Sequence, residues 1–224
     1  SDFIEKEYMR MKHSEPHFAG PAACRVVFSA AVRRTGGGTA WAQVLIVAEN
    51  TGDKDLSMVS CSLALTDGSG QTVSTKLLSS FHPAVIPPGG RSYLYEAVAL
   101  NRPAEGPLTA VPHLRAEPAP SSDIRFEVSD VHFIRDRYGA VCAEGHVTNT
   151  GKTDAERVRA VLVLKDKSGA PAALLFAAIP QPLSPGAQAG FRMSTLSLPE
   201  TLDLDDIQDC EAFAYSPPAP PRVL

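Results

Sequence analysis

The sequence predicts an all-β chain made of two tandem β-sandwich domains, and three observations support that prediction. A block of sequence occurs twice, its apolar residues alternate with polar ones, and turn-forming residues interrupt the alternating stretches at short intervals. Alternation with a period of two is typical of a β-strand with one buried face. Because no segment of helical periodicity separates the strands, an α/β fold is not expected.

The clearest sign of the repeat is the triplet Asn50–Gly52, which recurs 99 residues later as Asn149–Gly151. At the same spacing, the alternating residues of Val59–Leu65 correspond to those of Val158–Leu164. Further along, the spacing between matching residues falls to 97, so the first copy carries two additional residues, which we place near Ser79–Pro83. The repeat therefore predicts two domains of the same fold.

Three short motifs predict the turns of each copy. Asn-Thr-Gly is expected to form a turn because Asn and Gly tolerate a positive φ. Asp-x-Ser-Gly, at Asp67–Gly70 and again at Asp166–Gly169, predicts a second turn, and a Pro-Gly step predicts a third. The expected strands of the first copy are Arg25–Arg33, Ala40–Ala48, Leu56–Thr66, Gln71–Leu78, Arg91–Ala99 and Thr109–Ala116. Those of the second copy are Ile124–Arg135, Ala140–Thr148, Glu156–Lys165, Ala172–Ala178, Gln188–Leu196 and Asp206–Ala214.

Two proline-rich stretches mark the boundaries of the predicted domains. They predict a stiff linker between the two sandwiches and a polyproline-like C-terminal tail. The expected organisation is an N-terminal segment at 1–21, a first sandwich at 22–117, a linker at 118–123, a second sandwich at 124–215 and a tail at 216–224.

The residues before the first domain predict a short helix, because Ile4, Tyr8 and Met11 follow one another at helical spacing. The chain begins at Ser1 without an initiator Met and without the basic and apolar regions of a signal peptide. We therefore expect a segment upstream of Ser1 to carry an export signal or a membrane anchor.

Composition bounds the partners of the chain. The formal net charge is −4, and Lys and Arg are scattered rather than clustered. A nucleic-acid partner is therefore not expected, since such proteins carry a concentrated positive field. No apolar run approaches the roughly 20 residues that a membrane span needs, so membrane contact is expected only through an upstream anchor.

The order of these motifs resembles a known family. Asn-Thr-Gly, an alternating strand, Asp-x-Ser-Gly and a Pro-Gly step followed by aromatic residues are similar to the FxLYD-type domains of bacterial extracytoplasmic proteins. Tyr93–Glu96 is a loose form of the motif that names the family. The resemblance covers about Cys24–Glu117 and Ile124–Tyr215, and it implies immunoglobulin-like sandwiches at the cell envelope. It brings no catalytic residues to this chain.

The four cysteines fall two in each copy, a number too small for a disulfide scaffold. A bridge between Cys142 and Cys210 is possible, and one between Cys24 and Cys61 is less favoured. Cys61 corresponds to Ala160 on the apolar side of its strand, so we interpret it as a small buried apolar residue. Cys142 alternates with the apolar residues Val141 and Ala143 and is therefore expected to face outward or towards an edge.

No group of residues has the spacing of a catalytic, metal or cofactor site. His13 and His17 are separated by Pro16, which would interrupt a helix. The acidic stretch Asp203–Asp209 lacks the glycine of a calcium loop, and Gly36–Gly38 is interpreted as a hairpin tip rather than a phosphate cradle. The other histidines, His82, His113, His132 and His146, stand alone in the sequence.

The sequence therefore favours a non-enzymatic extracytoplasmic module that binds a protein partner or spaces another domain from the envelope. An alternative is an accessory subunit that forms a homodimer or packs on an enzyme, and a metal-dependent hydrolase is a third. The residues that differ between the copies are the expected place for a specific site. They are His146, Cys142, Cys210, the acidic stretch 203–209 and the two-residue insertion.

Overall fold

The fold is known from a computed structural model, which describes residues 24–36, 39–198, 202, 204–207 and 209–218. The predicted N-terminal helix and the pair His13 and His17 lie outside these residues. No helix in the described part of the chain has the length and apolar character needed to cross a bilayer.

The all-β prediction is confirmed. The described residues form strands joined by turns and by two single-turn 3-10 helices, η1 and η2. In order, they are β1 (Cys24–Gly36), β2 (Thr39–Asn50), β3 (Leu56–Thr66), β4 (Thr72–Leu78), β5 (Val85–Ile86), β6 (Arg91–Ala99), β7 (Thr109–Pro118), β8 (Phe126–Arg135), β9 (Val141–Asn149), β10 (Val158–Lys165), β11 (Pro171–Ile179), β12 (Gln188–Ser194), η1 (Thr195–Ser197), η2 (Leu204–Asp206) and β13 (Asp209–Tyr215).

The strands belong to two compact units, divided between Ser121 and Ser122. In the first unit, one sheet has the order β1-β2-β6, and the second has β3 between β4 and β7, with β5 also paired to β3. All of these pairs are antiparallel. A single apolar cluster takes side chains from both sheets, among them Ile46, Leu63, Leu65 and Leu94. The core of this unit therefore lies between its two sheets.

The second unit repeats this arrangement with one strand fewer. Its sheets have the orders β8-β9-β12 and β11-β10-β13. The short strand β5, which pairs Leu56 with Ile86, is replaced by an isolated bridge between Ala155 and Leu183. Buried apolar residues on β9, β10, β11 and β12 again point to a core within the unit.

A buried asparagine closes each unit at the point where the chain leaves one sheet for the other. Asn50, at the end of β2, is fully buried. Its side-chain Nδ2 donates to the backbone oxygens of Lys54 at 2.7 Å and Ile86 at 3.0 Å, while its Oδ1 accepts from the Gly52 N–H at 2.9 Å. Its backbone oxygen accepts from the Gly89 N–H, and its own N–H donates to the Gly90 oxygen. One side chain thus joins the first repeated motif to the third.

Asn149 makes the same bonds in the second unit. It is also fully buried, and its Nδ2 donates to the oxygens of Thr153 at 2.9 Å and Leu183 at 2.7 Å. Its Oδ1 accepts from Gly151 at 2.9 Å, and its backbone bonds with Gly186 and Ala187. The same buried network in both copies explains why the Asn and Pro-Gly motifs recur together.

The physical reason given above for the Asn-Thr-Gly turn is therefore wrong. Among the described residues other than glycine, only Asp130 has a positive φ, so neither asparagine adopts the left-handed conformation. The other two turns do use it, since Gly70, Gly89, Gly169 and Gly186 have φ values of 83°, 73°, 79° and 80°. The asparagines recur because of their side-chain amides rather than their backbone freedom.

Several predicted strand limits also need correction. The last strand begins at Asp209 rather than Asp206, because Leu204–Asp206 forms η2. The strand predicted to reach Leu196 ends at Ser194, whose hydroxyl accepts from the Leu196 N–H and caps η1. Pro118, assigned to the linker, closes β7 opposite Leu56.

The two additional residues of the first unit lie in a structured loop. Phe81 is buried in the core cluster. His82 bridges to Tyr93 of β6 through reciprocal backbone bonds of 2.9 Å. The insertion therefore extends one edge of the β1-β2-β6 sheet.

Asp67 accepts the hydrogen bonds that hold the second repeated turn, and its pKa is lower than the ordinary value. Its carboxylate accepts from the backbone N–H of Glu105 at 3.0 Å, from the Ser69 hydroxyl at 2.7 Å and from two further N–H groups. These bonds, the Glu105 bond first, lower the pKa of Asp67 to about 2 from its ordinary value of 3.8. The Asp166 carboxylate accepts hydrogen bonds from the Ser168 hydroxyl and from the N–H groups of Ser168 and Ala170, and these bonds also lower its pKa.

We predict that Asp67 makes the first unit acid-sensitive in a defined range. Because its folded-state pKa lies below the unfolded one, its contribution is complete above about pH 4 and is lost as the pH falls towards 2. Replacing it, Asp67→Asn, should flatten the pH dependence of the urea midpoint of this unit between pH 4 and 2. An unchanged slope in the variant would refute this role.

Candidate functional site

The outer face of the β8-β9-β12 sheet carries a cluster of charged side chains. Along β9, Ala143, Gly145 and Val147 are buried on the core side, and Glu144 and His146 alternate with them on the outer side. The isolated histidines of the sequence thus share this face with carboxylates. His146 was predicted to matter because it has no counterpart in the first copy.

A β-bulge in β8 brings the cluster together. Ser129 lies opposite His146 and His132 lies opposite Glu144, so two residues of β8 face the single residue Gly145. Asp130, in the bulge, has a φ of 55°, in the left-handed region that non-glycine residues rarely adopt. The extra residue re-aims the strand, as bulges do, and places both Asp130 and His132 beside the outer residues of β9.

The resulting contacts place two imidazoles and one guanidinium beside two carboxylates. His146 Nδ1 lies 3.6 Å from an Asp130 carboxylate oxygen, and His132 Nε2 lies 3.8 Å from Glu144. Arg192 of β12 contacts the other Glu144 oxygen at 2.8 Å. The His132 Nδ1 also lies 2.8 Å from the Asp130 backbone oxygen, which ties the bulge to the cluster.

The inner side of the same position is filled by an aromatic ring. A Cβ added to Gly145 would lie 2.7 Å from Phe191 Cζ and 3.1 Å from the Ser129 oxygen. Phe191 pairs with Gly145 across the strands and is buried. Glycine is required here because the ring occupies the space of a side chain, so the bulge and the ring position each other.

This arrangement lies at the surface of the second unit. All five side chains of the cluster are at least one-third exposed, and exposed ion pairs contribute at most about 1 kcal/mol to stability. Within the described residues, no group of three or more His, Cys, Asp or Glu is placed to hold a metal ion. What the cluster offers is a patterned surface of both charges.

A groove opens between the β8-β9 hairpin, near its turn, and η2. Its volume is about 280 Å³, and Arg135 and Asp205 border it. Its apolar wall consists of Phe133, Ile134, Val141, Leu204 and Ile207. A groove of this size can take one apolar side chain of a partner.

The cysteines proposed as a bridge lie in different sheets. Cys142 is on β9 opposite Ser194, and Cys210 is on β13 opposite Leu164. Both are free thiols in this structure, and the bridge stays a prediction. Cys142 has the outward phase expected for it, but it is buried.

The other two cysteines have structural surroundings. Cys61 is confirmed as a buried core residue. Burial raises the pKa of its thiol to about 12, which keeps it protonated at neutral pH and so poorly nucleophilic. Cys24 is a free thiol beside Met58 Sδ, at 4.0 Å.

The remaining candidates serve the fold or lie at the surface. Asp206 pairs with Lys167 at 2.5 Å, and Asp209 accepts from the Cys210 N–H, so these two acidic residues do not converge on one point. Gly36 pairs with Thr39, which confirms a hairpin at this tip. Ser69 and Ser168 hydroxyls donate to the aspartates of their turns.

The alternation of polar and apolar residues could not predict the cluster, although the comparison of the two copies gave one signal for it. A regular strand over Ile124–Arg135 would not place Asp130 and His132 on one face together with the outer residues of β9. The bulge depends on the glycine at 145 and the ring at 191, which lie on two other strands. The repeat did single out His146, because Val47 stands at the matching position.

Comparisons with known proteins give little further information. No protein-family model and no curated protein matches the chain. A solved structure of red sea bream transglutaminase is similar to this chain, with 11% sequence identity and a TM-score of 0.22. The similar region covers 76% of this chain and 27% of the transglutaminase chain. A likeness of this strength carries no argument about function.

The backbone at Asp130 gives a direct test of the bulge. We predict that Asp130→Val lowers the free energy of unfolding of the second unit by about 1–2 kcal/mol, the cost of a left-handed residue with a branched Cβ. Asp130→Gly should lower it by less than about 0.5 kcal/mol, because glycine adopts this φ freely. Urea unfolding measures both, and equal losses in the two variants would argue against a left-handed residue here.

Proposed function

We propose that this chain is a non-enzymatic tandem module of two immunoglobulin-like β-sandwiches, similar to FxLYD-type domains, that binds a protein partner at the bacterial cell envelope. Two sheets around one core in the first unit, and the same sheet orders with buried apolar residues in the second, support the sandwich assignment. The motif order described above supports the family.

The charged outer face of the second unit carries the binding proposal. Residues that recur between the copies, the corner asparagines and turn aspartates, are engaged in internal hydrogen bonds. The cluster of Asp130, His132, Glu144, His146 and Arg192 does not recur, and it is exposed. Exposed polar residues arranged on a rigid sheet are suited to the polar part of a protein-binding surface.

Site-specific photo-crosslinking in the native host tests this function. We predict that a benzoylphenylalanine at Thr148, on the outer face of β9, gives a discrete protein adduct in the cell-envelope fraction. The same group at Ser168, in an exposed turn of the second unit, should not. Exchanging the charges of one pair, Glu144→Arg with Arg192→Glu, keeps a pair but reverses its pattern and should reduce the adduct at least tenfold.

Three outcomes would contradict the proposal. These are an adduct found in the cytoplasm, equal adducts from both positions, or an adduct that survives the charge exchange. Each variant is first checked for an unchanged unfolding midpoint, so that loss of the adduct reports the surface.

One observation favours the alternative of a self-associating accessory subunit. On the outer face of the β11-β10-β13 sheet, Phe176 is 36% exposed, and Val161, which lies between it and Phe213, is buried. Apolar side chains on an outer face favour packing against another surface. Light scattering decides this point, since a monomer at every concentration excludes the homodimer.

A further inference from the structure

Arginines lie at both ends of the outer face of the β1-β2-β6 sheet, and they differ in their partners. Arg25 and Arg91 lie at one end, on either side of Glu49 of the central strand. Both contact the Glu49 carboxylate, at 2.9 and 3.3 Å. Arg34 lies at the other end, opposite Trp41. Neither an ion pair nor a hydrogen bond joins Arg34 to a carboxylate of the described residues, so this guanidinium lacks a counter-charge there.

The unpaired part of Arg34 is one edge of its guanidinium. Nε and Nη2 are buried, and neither has a hydrogen-bond partner within the described part of the chain. The N–H groups of these two nitrogens point side by side, which is the geometry that a carboxylate accepts with both of its oxygens. Buried donors are almost always paired in folded proteins. A single carboxylate would satisfy both donors at once.

Two aromatic residues complete this end of the face. The Trp41 ring stacks against the guanidinium, whose central carbon lies 5.0 Å from the ring centre, and this contact holds the planar group in place. Tyr95, on β6, adds a hydroxyl that is buried with no partner among residues 24–36 and 39–198. Burial raises the pKa of Tyr95, and the positive charge of Arg34 opposes that rise. The guanidinium therefore lies within electrostatic reach of the hydroxyl.

The hairpin that carries Arg34 does not require this group of side chains in order to fold. In the second unit, the matching position is Asp136, which closes the β8-β9 hairpin opposite Ala140. The Asp136 carboxylate accepts from the Tyr138 and Ala140 N–H groups and so holds the turn. The same hairpin thus forms without an arginine or a tryptophan at these positions. The unpaired donors of the first unit need an explanation outside the fold.

We propose that Arg34, Trp41 and Tyr95 form a binding site for the carboxylate of an acidic side chain in a partner polypeptide. The two carboxylate oxygens accept from Arg34 Nε and Nη2, and the Tyr95 hydroxyl donates a further bond. One guanidinium and one hydroxyl match the single charge and the two oxygens of a carboxylate. A phosphate group brings about twice that charge and three acceptor oxygens, which this set of donors does not match.

The surroundings of the site indicate which residue accompanies the acidic one. Val32 lies two residues before Arg34 on the same face and is 54% exposed. Its apolar surface suits an apolar side chain next to the acidic residue of the partner. Arg34 is only half-buried and lies on an outer face, so a ligand reaches it through a side-chain movement and without opening the core. The site lies on the first unit and does not depend on the charged cluster of the second.

Tryptophan fluorescence gives a specific test, because Trp41 is the only tryptophan in the chain. Titrating the full chain with the peptide acetyl-Ala-Glu-Leu-amide should change the Trp41 emission in a saturable way. The neutral peptide acetyl-Ala-Gln-Leu-amide, which has nearly the same shape, should bind at least about tenfold more weakly, because it lacks the carboxylate. Inorganic phosphate should compete more weakly than the acidic peptide.

Substitutions then separate the parts of the site. Arg34→Gln should weaken binding of the acidic peptide at least about tenfold, and Arg34→Lys should also weaken it, because lysine keeps the charge but lacks the paired N–H edge. Arg25→Gln is the matched control, since Arg25 lies on the same face but is paired with Glu49. Its effect should stay within about twofold, because Arg25 lies more than a Debye length from the site along β1. Each variant is first checked for an unchanged unfolding midpoint.

Each other outcome overturns the proposal. Emission that stays unchanged up to about 20 mM acidic peptide shows that this face does not bind a carboxylate. Equal affinities for the acidic and neutral peptides exclude recognition of the charge. Undiminished binding by Arg34→Gln places the site elsewhere, and tighter competition by phosphate than by the peptide assigns it to a different anion. If Arg34→Gln does not fold, the comparison of the two peptides on the unaltered chain still decides.

Discussion

The buried asparagine at the corner of each unit is the interaction on which the rest of the fold depends. In both units, the chain must leave one sheet and enter the other, and it exposes backbone groups at the crossing. Asn50 and Asn149 satisfy those groups with one side chain and also hold the Pro-Gly turn that leads into β6 or β12. The two sheets are therefore joined by hydrogen bonds as well as by apolar contact, and unpaired groups here would be costly.

With the corners and turns fixed internally, the outer faces of the sheets are free to differ. The two units place different residues at matching positions of the same sheet. Leu45 and Val47 in the first unit correspond to Glu144 and His146 in the second. One outer face is thereby apolar, and the other carries side chains that can bear charge. A shared scaffold with divergent faces is a common way for a repeated domain to acquire separate roles.

The sequence predicted most of the fold and little of the site. The strand periods and the repeat located nearly every strand. Apolar and polar residues alternate along strands such as β3 and β10, and this alternation reports directly that one face is buried. The sequence suggested the wrong reason for the corner residues Asn50 and Asn149. Asparagine is favoured both in turns with a positive φ and where a side-chain amide bonds to the backbone, so the sequence alone does not distinguish the two roles. It also missed the cluster at Asp130, because a bulge depends on residues from three strands, and no local pattern reports such a combination.

The most direct test of this account is the unfolding free energy of Asn149→Ala, measured by urea denaturation. Removing the amide takes one hydrogen bond each from the Leu183 and Thr153 oxygens and from the Gly151 N–H, although Ala155 still bonds to the Leu183 oxygen and Gly151 still donates to Arg125. We predict a loss of about 2–4 kcal/mol in the second unit. Thr150→Ala, next in the chain and exposed, should change it by less than about 0.5 kcal/mol. Equal effects of the two substitutions would contradict the central role of the corner asparagine.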